Sequence, residues 1–508
     1  MQKLMALFGG LTGRRAIFAA FLTGALMALG HAPWGLWPLT LVGFVVLAIL
    51  LEAADTPRAA LWHGWGAGGG YFAVSLSWIV EPFFVDVARH GWMAPFAIFL
   101  MAGGLAIFWA VSFWGARKLA GQKRAALALC VTLPLAELLR AYVFTGFPWA
   151  MPAYIWVDLA PMQLVSLIGP HGLNVLTLLM TAGVWGASGI SRNAAFVLGI
   201  AVWGVAPVVS GYLTWDAVPV SDERPLIRLL QPNAPQHLKW DPEWVSVFYD
   251  RNLAFTAEPG ELGRPDLIIW PETSVPVRLS EEEYGMQLLR DAANGVPVLF
   301  GIGHARDEGF YNSIVHMNAE GGLDQSYDKR HLVPFGEYVP FGDVMAQFGI
   351  YGLAANQGYG FTAGAEAKLF DLGPLGQALP LICYEAVFPQ DVNAAPDGAD
   401  WILQITNDAW FGQISGPWQH LVQAQFRAVE QGKPLVRVAN TGVTAMIDPY
   451  GTITAQLPFA TEGFLDAYLP EARSETLYRS TGDWPVLFLL LLSGLVLIFY
   501  RSGSGIGS

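Results

Sequence analysis

Apolar runs separated by short polar breaks fill the beginning of the chain, at 16–29, 36–53, 60–80, 92–116, 124–142, 163–190 and 194–213, and one more covers 484–500. Each is close to or above the roughly 17–25 residues that cross a bilayer. Several carry Trp or Tyr near their ends, where such rings sit at headgroup level. The pattern predicts about eight transmembrane helices. The first run resembles a leader, with Ala28 to Ala32 as a faint cleavage site. The next run follows at once, so an uncleaved first helix is the better reading.

Between 214 and 483 the rhythm changes. Short apolar stretches at Leu226–Leu230, Leu267–Trp270, Val298–Ile302, Ser313–Met317, Leu379–Ile382, Ile402–Thr406 and Val436–Ala439 read as strands. Amphipathic stretches at 243–257, 281–294 and 417–431 read as helices. That alternation predicts an α/β or α+β sandwich with a buried sheet, and no convincing internal repeat is visible. The expected organisation is a transmembrane helical domain over 1–213, a separate α/β domain over 214–483, a last transmembrane helix over 484–501 and a flexible tail at 502–508.

Composition sharpens this picture. Charged residues make up 14% of the 508 and hydrophobic residues 54%, with 20 tryptophans, against about 25% charge in ordinary soluble proteins. The net charge of −13 lies mostly after Val220. With no basic stripe to neutralise phosphates, nucleic acid is excluded as a partner. Lys3, Arg14, Arg15, Arg58, Arg117, Lys118, Lys123, Arg124, Arg192 and Arg501 fall on one side of the expected spans, against Arg89 and Arg140 on the other. The positive-inside rule then puts both termini in the cytoplasm and the 214–483 segment outside it. In a bacterium with two membranes that side is the periplasm, and the membrane is the inner one.

Glu137 and Arg140 stand three apart inside a span, where charges are costly unless paired. Glycines at 64, 66, 68, 69 and 70 give small-xxx-small spacings, a sign of close helix packing. The arm Val339 to Gly360 mixes apolar side chains with glycines and reads as a loop that could dip into a bilayer. The nine histidines show no ligand spacing, so neither a metal nor another cofactor is expected.

The chemistry gathers in three stretches. Asp266-Leu-Ile-Ile-Trp-Pro271-Glu272 ends a strand at a carboxylate, Tyr327-Asp328-Lys329 leads into Pro334-Phe335-Gly336-Glu337, and Leu379-Pro380-Leu381-Ile382 ends in Cys383-Tyr384-Glu385. A lone cysteine is more often a small buried hydrophobe, and Cys130, the only other one, lies deep in an apolar run. A thiol with a carboxylate to take its proton and an ammonium to steady an oxyanion is, however, a complete acyl-transfer set. Glu272, Lys329 and Cys383 supply it.

These three motifs resemble the Glu–Lys–Cys motifs of the nitrilase (carbon–nitrogen hydrolase) superfamily. Leu332-Val-Pro-Phe-Gly-Glu-Tyr338, Thr406-Asn-Asp-Ala-Trp-Phe-Gly412 and Thr145-Gly-Phe-Pro-Trp149 are similar to its membrane branch, the apolipoprotein N-acyltransferases. The resemblance covers nearly the whole chain. It implies a multi-span helical membrane domain carrying an external nitrilase-like α/β sandwich. It implies a ping-pong transfer from a phospholipid, such as phosphatidylethanolamine, through a Cys383 thioester to the α-amine of a diacylglyceryl apolipoprotein. Glu272 would be the base and Lys329 the oxyanion cation. Trp240, Glu337, Tyr384, Glu385 and Trp410 would bind substrate or support the triad, Tyr384 through its backbone N–H. A membrane-tethered amidase with water as acceptor, or a non-enzymatic scaffold, would share the sequence pattern. The number of spans speaks against the first and the intact triad against the second.

Overall fold

The computed structural model describes residues 7–183, 185, 204–215, 217, 219–276, 283–307, 309–342 and 360–503. Two compact units divide them: residues 1–80, 93–216 and 475–508 in one, 81–92 and 217–474 in the other. The expected span at 194–213 lies partly outside the described residues, as do residues 343–359 of the glycine-rich arm.

The first unit is helical. Among the described residues, Val87–Ala120, Gln122–Tyr142 and Ala160–Ala182 are long and apolar enough to cross a membrane, and Trp37–Ala53 and Trp484–Phe499 are shorter apolar helices. The helix Pro57–Ser75 carries the glycine cluster and is the spacer between two neighbours. A Cβ on Gly66 or Gly70 would collide with the backbone of Ile17 or Phe21, and one on Gly64 or Gly68 with that of Trp109 or Ala106. Bare backbone on both faces therefore lets Gly13–Ala28 and Ala94–Ala120 approach closely. Glu137 and Arg140 form a buried ion pair at 2.5 Å. Arg140 also donates to the carbonyls of Phe147 and Trp149, and Trp109 donates to Glu137. Pairing with each other and with these neighbours satisfies both buried charges.

The second unit holds two six-stranded sheets. In the first, parallel β1 (Leu226–Gln231), β2 (Leu267–Ile269) and β3 (Val298–Arg306) continue into antiparallel β4 (Gly309–Met317) and β5 (Leu323–Asp328). The second repeats the plan. Parallel β7 (Gln377–Ile382), β8 (Trp401–Thr406) and β9 (Leu435–Ala439) continue into antiparallel β10 (Thr444–Ile447) and β11 (Ile453–Leu457). Each has one more antiparallel edge, β12 (Gly463–Tyr468) on β1 and β6 (Phe370–Asp371) on β7. A twofold repeat of topology is therefore present where none is visible in the sequence.

The sheets face each other, β1 lying against β9 and β10. On its other face the first sheet takes the helices Val245–Ala257 and Glu283–Ala293, through Tyr249, Met286 and Leu289 against Ile268, Trp270 and Phe300. The helix Gly416–Gln431 covers the second sheet through Leu421, Ala424 and Ala428 against Leu379, Leu381 and Ile402. Parallel strands buried on both faces read as unbroken apolar runs, which is why β1, β2, β7, β8 and β9 were visible in the sequence. The result is an α/β sandwich. Its parallel strands β2 and β7 bring their carboxyl ends to the site, the usual place for chemistry in such sheets.

Candidate active site

Glu272 lies three residues beyond β2, where Pro271 has stopped the strand. Lys329 directly follows β5, and Cys383 directly follows β7. All three are buried, and the fold brings them together. Cys383 has φ +53°, in the left-handed region. For a residue with a Cβ this costs about 1–2 kcal/mol, and it turns the chain sharply from the strand into the 3-10 turn Cys383–Val387. A strained turn of this kind lifts a nucleophile off the end of its strand.

Lys329 Nζ lies 2.9 Å from Glu337 Oε1 and 3.7 Å from Glu272 Oε1. Burial alone would favour the neutral amine, but the Glu337 and Glu272 carboxylates outweigh it and hold the ammonium well above the usual lysine range. The Cys383 thiol is raised above its ordinary value by burial first and by the Glu272 charge second, with Lys329 and the Thr406 hydroxyl offsetting part of that. At rest the site thus holds a neutral thiol beside carboxylates and an ammonium. A thiol in this state needs a base before it can attack.

Glu337 is held at both oxygens: Oε1 accepts from Lys329 and Asn312, and Oε2 from the Val333 N–H at 2.9 Å. Glu385 is a tie. Its Oε2 accepts the Ile382 N–H at 2.7 Å, and its Oε1 accepts from the Tyr327 hydroxyl at 2.7 Å and the Arg330 N–H at 2.8 Å. One buried side chain therefore joins the approach to Cys383 with the two residues flanking the lysine turn. The Tyr384 ring packs edge-on against Phe388 and His331. Trp240 is 45% exposed and lines a cleft with Lys239, Phe248, Glu272 and Thr273. Trp410 is half-buried on the turn after β8 and makes no hydrogen bond to this cluster among the described residues.

Two polar residues of the site went unnoticed in the sequence. Asn312 on β4 donates to Glu272 Oε1 at 2.7 Å and reaches Glu337 Oε1 at 3.2 Å, bridging the two carboxylates. Lys239 is buried and donates to the Glu272 carbonyl and the Thr273 hydroxyl, both at 2.9 Å. Burial lowers its ammonium to about 8, with Glu272 and Cys383 opposing the shift. Its place beside Trp240 in Gln236-His-Leu-Lys-Trp240 was the only hint.

Two sheets with a Glu, a Lys and a Cys at their strand ends define the class as a carbon–nitrogen hydrolase domain, and the family model described as Carbon-nitrogen hydrolase matches residues 244–478. A second, described as Apolipoprotein N-acyltransferase N-terminal domain, matches residues 23–183. Proteins named apolipoprotein N-acyltransferase from Brucella suis and Rhodopseudomonas palustris are 36% and 35% identical to this chain. The first alignment covers 95% of both chains; the second covers 97% of this chain and 96% of its relative. One from Caulobacter vibrioides is 35% identical over 95% of this chain and 94% of its own. A solved amidase of the nitrilase superfamily from Nesterenkonia AN1 aligns at 20% identity and TM-score 0.36 over 53% of this chain and 98% of its own. The chain belongs to the apolipoprotein N-acyltransferase family, and is an acyltransferase built on a nitrilase-like domain with membrane-type apolar helices.

Proposed function

We propose that the protein moves a fatty acyl group from a phospholipid to the N-terminal α-amine of a diacylglyceryl apolipoprotein, with Cys383 as nucleophile, Glu272 as base and Lys329 as oxyanion cation. The observation that carries this reading is the buried meeting of these side chains, Lys329 Nζ being 3.7 Å from the Glu272 carboxylate and both acting on the charge state of Cys383.

In the first half, the Cys383 proton passes to Glu272 as Sγ attacks the sn-1 ester carbonyl. The ester C–O bond then breaks, the leaving alkoxide takes the proton from Glu272, and a lysophospholipid departs from the thioester. In the second half, the neutral α-amine attacks the thioester and gives its proton, through Glu272, to the departing Cys383 thiolate. A thioester is more reactive toward an amine than the starting ester, which is the gain from two steps. Both tetrahedral intermediates carry an oxyanion that Lys329 and the Tyr384 N–H stabilise; one such donor is worth about 10²–10³ in rate. Glu337 orients Lys329, Glu385 ties the two turns, and Trp240 and Trp410 contact substrate.

A lipid donor gives the apolar helices their purpose. In this reading about eight helices span a bacterial inner membrane, both termini are cytoplasmic, and the domain over 214–483 is periplasmic, between helices over 1–213 and 484–501 and ahead of the 502–508 tail. Phosphatidylethanolamine is the expected donor.

Mass spectrometry of protein incubated with phospholipid alone should find a hydroxylamine-labile acyl group on Cys383, discharged by a diacylglyceryl peptide. An acyl group lost to water at the same rate with and without the peptide would replace this reading with the amidase one. Normal turnover by Cys383→Ala would end both.

A further inference from the structure

Behind Cys383 the second sheet carries a polar cluster with no part in the chemistry so far. Gln404 on β8, Asp408, His420 on the covering helix and Arg437 on β9 are all fully buried. Buried polar groups of this density are costly unless every one is paired. Their hydrogen bonds form one chain. Arg437 donates to Asp408 Oδ2 at 2.5 Å and to Gln404 Oε1 at 2.6 Å. His420 Nδ1 meets Asp408 Oδ1 at 2.9 Å, and His420 Nε2 lies 3.1 Å from Gln404 Nε2. The chain ends on one atom, the Cys383 carbonyl oxygen, 3.2 Å from Gln404 Nε2 and 3.1 Å from His420 Nε2.

The proton positions follow from the partners. Asp408 is held ionised at about 2; burial opposes this, but Arg437 and His420 outweigh it. An ionised carboxylate only accepts, so His420 Nδ1 carries the hydrogen. Burial, with Arg437 beside it, keeps the imidazole neutral. Its Nε2 is then an acceptor, so its 3.1 Å approach to the Cys383 carbonyl is a contact and not a hydrogen bond. Gln404 uses one amide hydrogen on that nitrogen and the other on the carbonyl. Arg437 fixes which way the Gln404 amide faces, because a guanidinium can meet only its oxygen.

A trans peptide is planar, so a carbonyl and the following N–H point in opposite directions. Fixing the Cys383 carbonyl toward Gln404 sends the Tyr384 N–H the other way, away from the cluster. We propose that Gln404, locked by Arg437 and His420, is a positioning residue that aims the Tyr384 N–H at the oxyanion formed on Cys383. This rests on the nucleophile assigned above. Within the cluster the charge of Asp408 bears on the thiol, whereas Gln404 meets the Cys383 carbonyl, so a neutral substitution at Gln404 separates aim from thiol reactivity.

The test compares two reactions of Cys383 in the full-length protein in detergent micelles. Acylation, by p-nitrophenyl butyrate or by phospholipid, passes through an oxyanion; alkylation by iodoacetamide does not. Gln404→Met removes both amide hydrogens at similar volume. Gln404→Glu keeps an acceptor for Arg437 and turns an oxygen toward the Cys383 carbonyl. In Gln404→Met, acylation by p-nitrophenyl butyrate should fall about 100-fold while alkylation stays within about twofold. In Gln404→Glu the added carboxylate slows alkylation as well, and acylation should still fall at least about tenfold further than alkylation. The ratio of the two rates therefore drops in both. An unchanged ratio of the two rates, equal loss of both, or loss of the thermal unfolding transition in both variants overturns the proposal. Wild-type protein acylated by p-nitrophenyl butyrate but not by phospholipid would overturn the lipid reading and leave Gln404 to be judged on its own ratio.

Discussion

Glu337 holds the Lys329 ammonium at 2.9 Å, closer than Glu272 does at 3.7 Å. The two carboxylates are therefore not equivalent. Glu337 has both oxygens occupied, by Lys329, Asn312 and the Val333 N–H, and is fixed as a counter-charge. Glu337→Gln leaves Glu272 as the nearest carboxylate for the ammonium and turns a second amide toward the cluster. Lys329 then swings to Glu272 and ties up the base. Acyl-enzyme formation should fall about 100-fold, the scale of a lost general base, in single-turnover assays with labelled phospholipid. A loss below about threefold would show that Lys329 keeps its place without Glu337.

Asn312 gives Glu272 its shortest hydrogen bond, 2.7 Å. Asn312→Leu leaves that buried oxygen without its amide, and such a loss costs about 1–3 kcal/mol. Both the melting temperature and the acylation rate should drop, and Asn312→Asp should be worse, since it sets a third carboxylate between Glu272 and Glu337. Equal rates for the aspartate and leucine variants would contradict a bridging role.

How much of this was legible follows from what each residue needs. Glu272 and Cys383 stand at the ends of apolar strand runs, and Lys329 shows through the Pro334-Phe335-Gly336-Glu337 motif that follows it, so their positions show in the sequence. Asn312, Lys239 and Gln404 draw their roles from strand register and tertiary neighbours: β4 pairs residue 312 with Gly303, and only the assembled sheet puts its amide over Glu272. The edge strands were hidden for a related reason. β5 reads Leu-Asp-Gln-Ser-Tyr-Asp and β11 Ile-Thr-Ala-Gln-Leu, partly solvated, with no apolar run. Cross-strand hydrogen bonds, not hydrophobicity, make them strands. The repeat of the two sheets escapes for the same cause, since burial demands apolar residues at equivalent places but not the same ones.

Lys239 links the rim tryptophan to the Glu272 turn, with Nζ on the Glu272 carbonyl and the Thr273 hydroxyl. Thr273 has φ +45°, a conformation that needs such support. Lys239→Met should slow acylation about tenfold by loosening that turn, a misplacement effect. A pH signature accompanies it. Burial holds the folded ammonium at about 8, below its unfolded value of about 10.4. Between those values the unfolded chain binds the extra proton, so stability from this group rises with pH. The melting temperature of wild type relative to Lys239→Met should therefore increase from pH 8 to pH 10. A gap that narrows over that range would mean the ammonium is not desolvated in the fold.

The raised Cys383 thiol gives a prediction in which two reactions move in opposite directions. Burial and the Glu272 charge both disfavour the thiolate, so iodoacetamide should alkylate Cys383 more slowly at pH 8 than it does free cysteine, and the rate should keep climbing beyond the ordinary thiol value near 8.5. Glu272→Gln removes a negative charge beside the thiol. The thiolate becomes easier to form, and the alkylation profile should shift to lower pH. Acylation by phospholipid needs a group that takes the thiol proton and then delivers it to the leaving alkoxide, which glutamine cannot do. The same substitution should therefore lower acylation by at least about 100-fold. Measuring both rates from pH 6 to pH 10 separates the two contributions of one carboxylate. Alkylation and acylation falling together in Glu272→Gln would mean that Glu272 only supports the fold around Cys383.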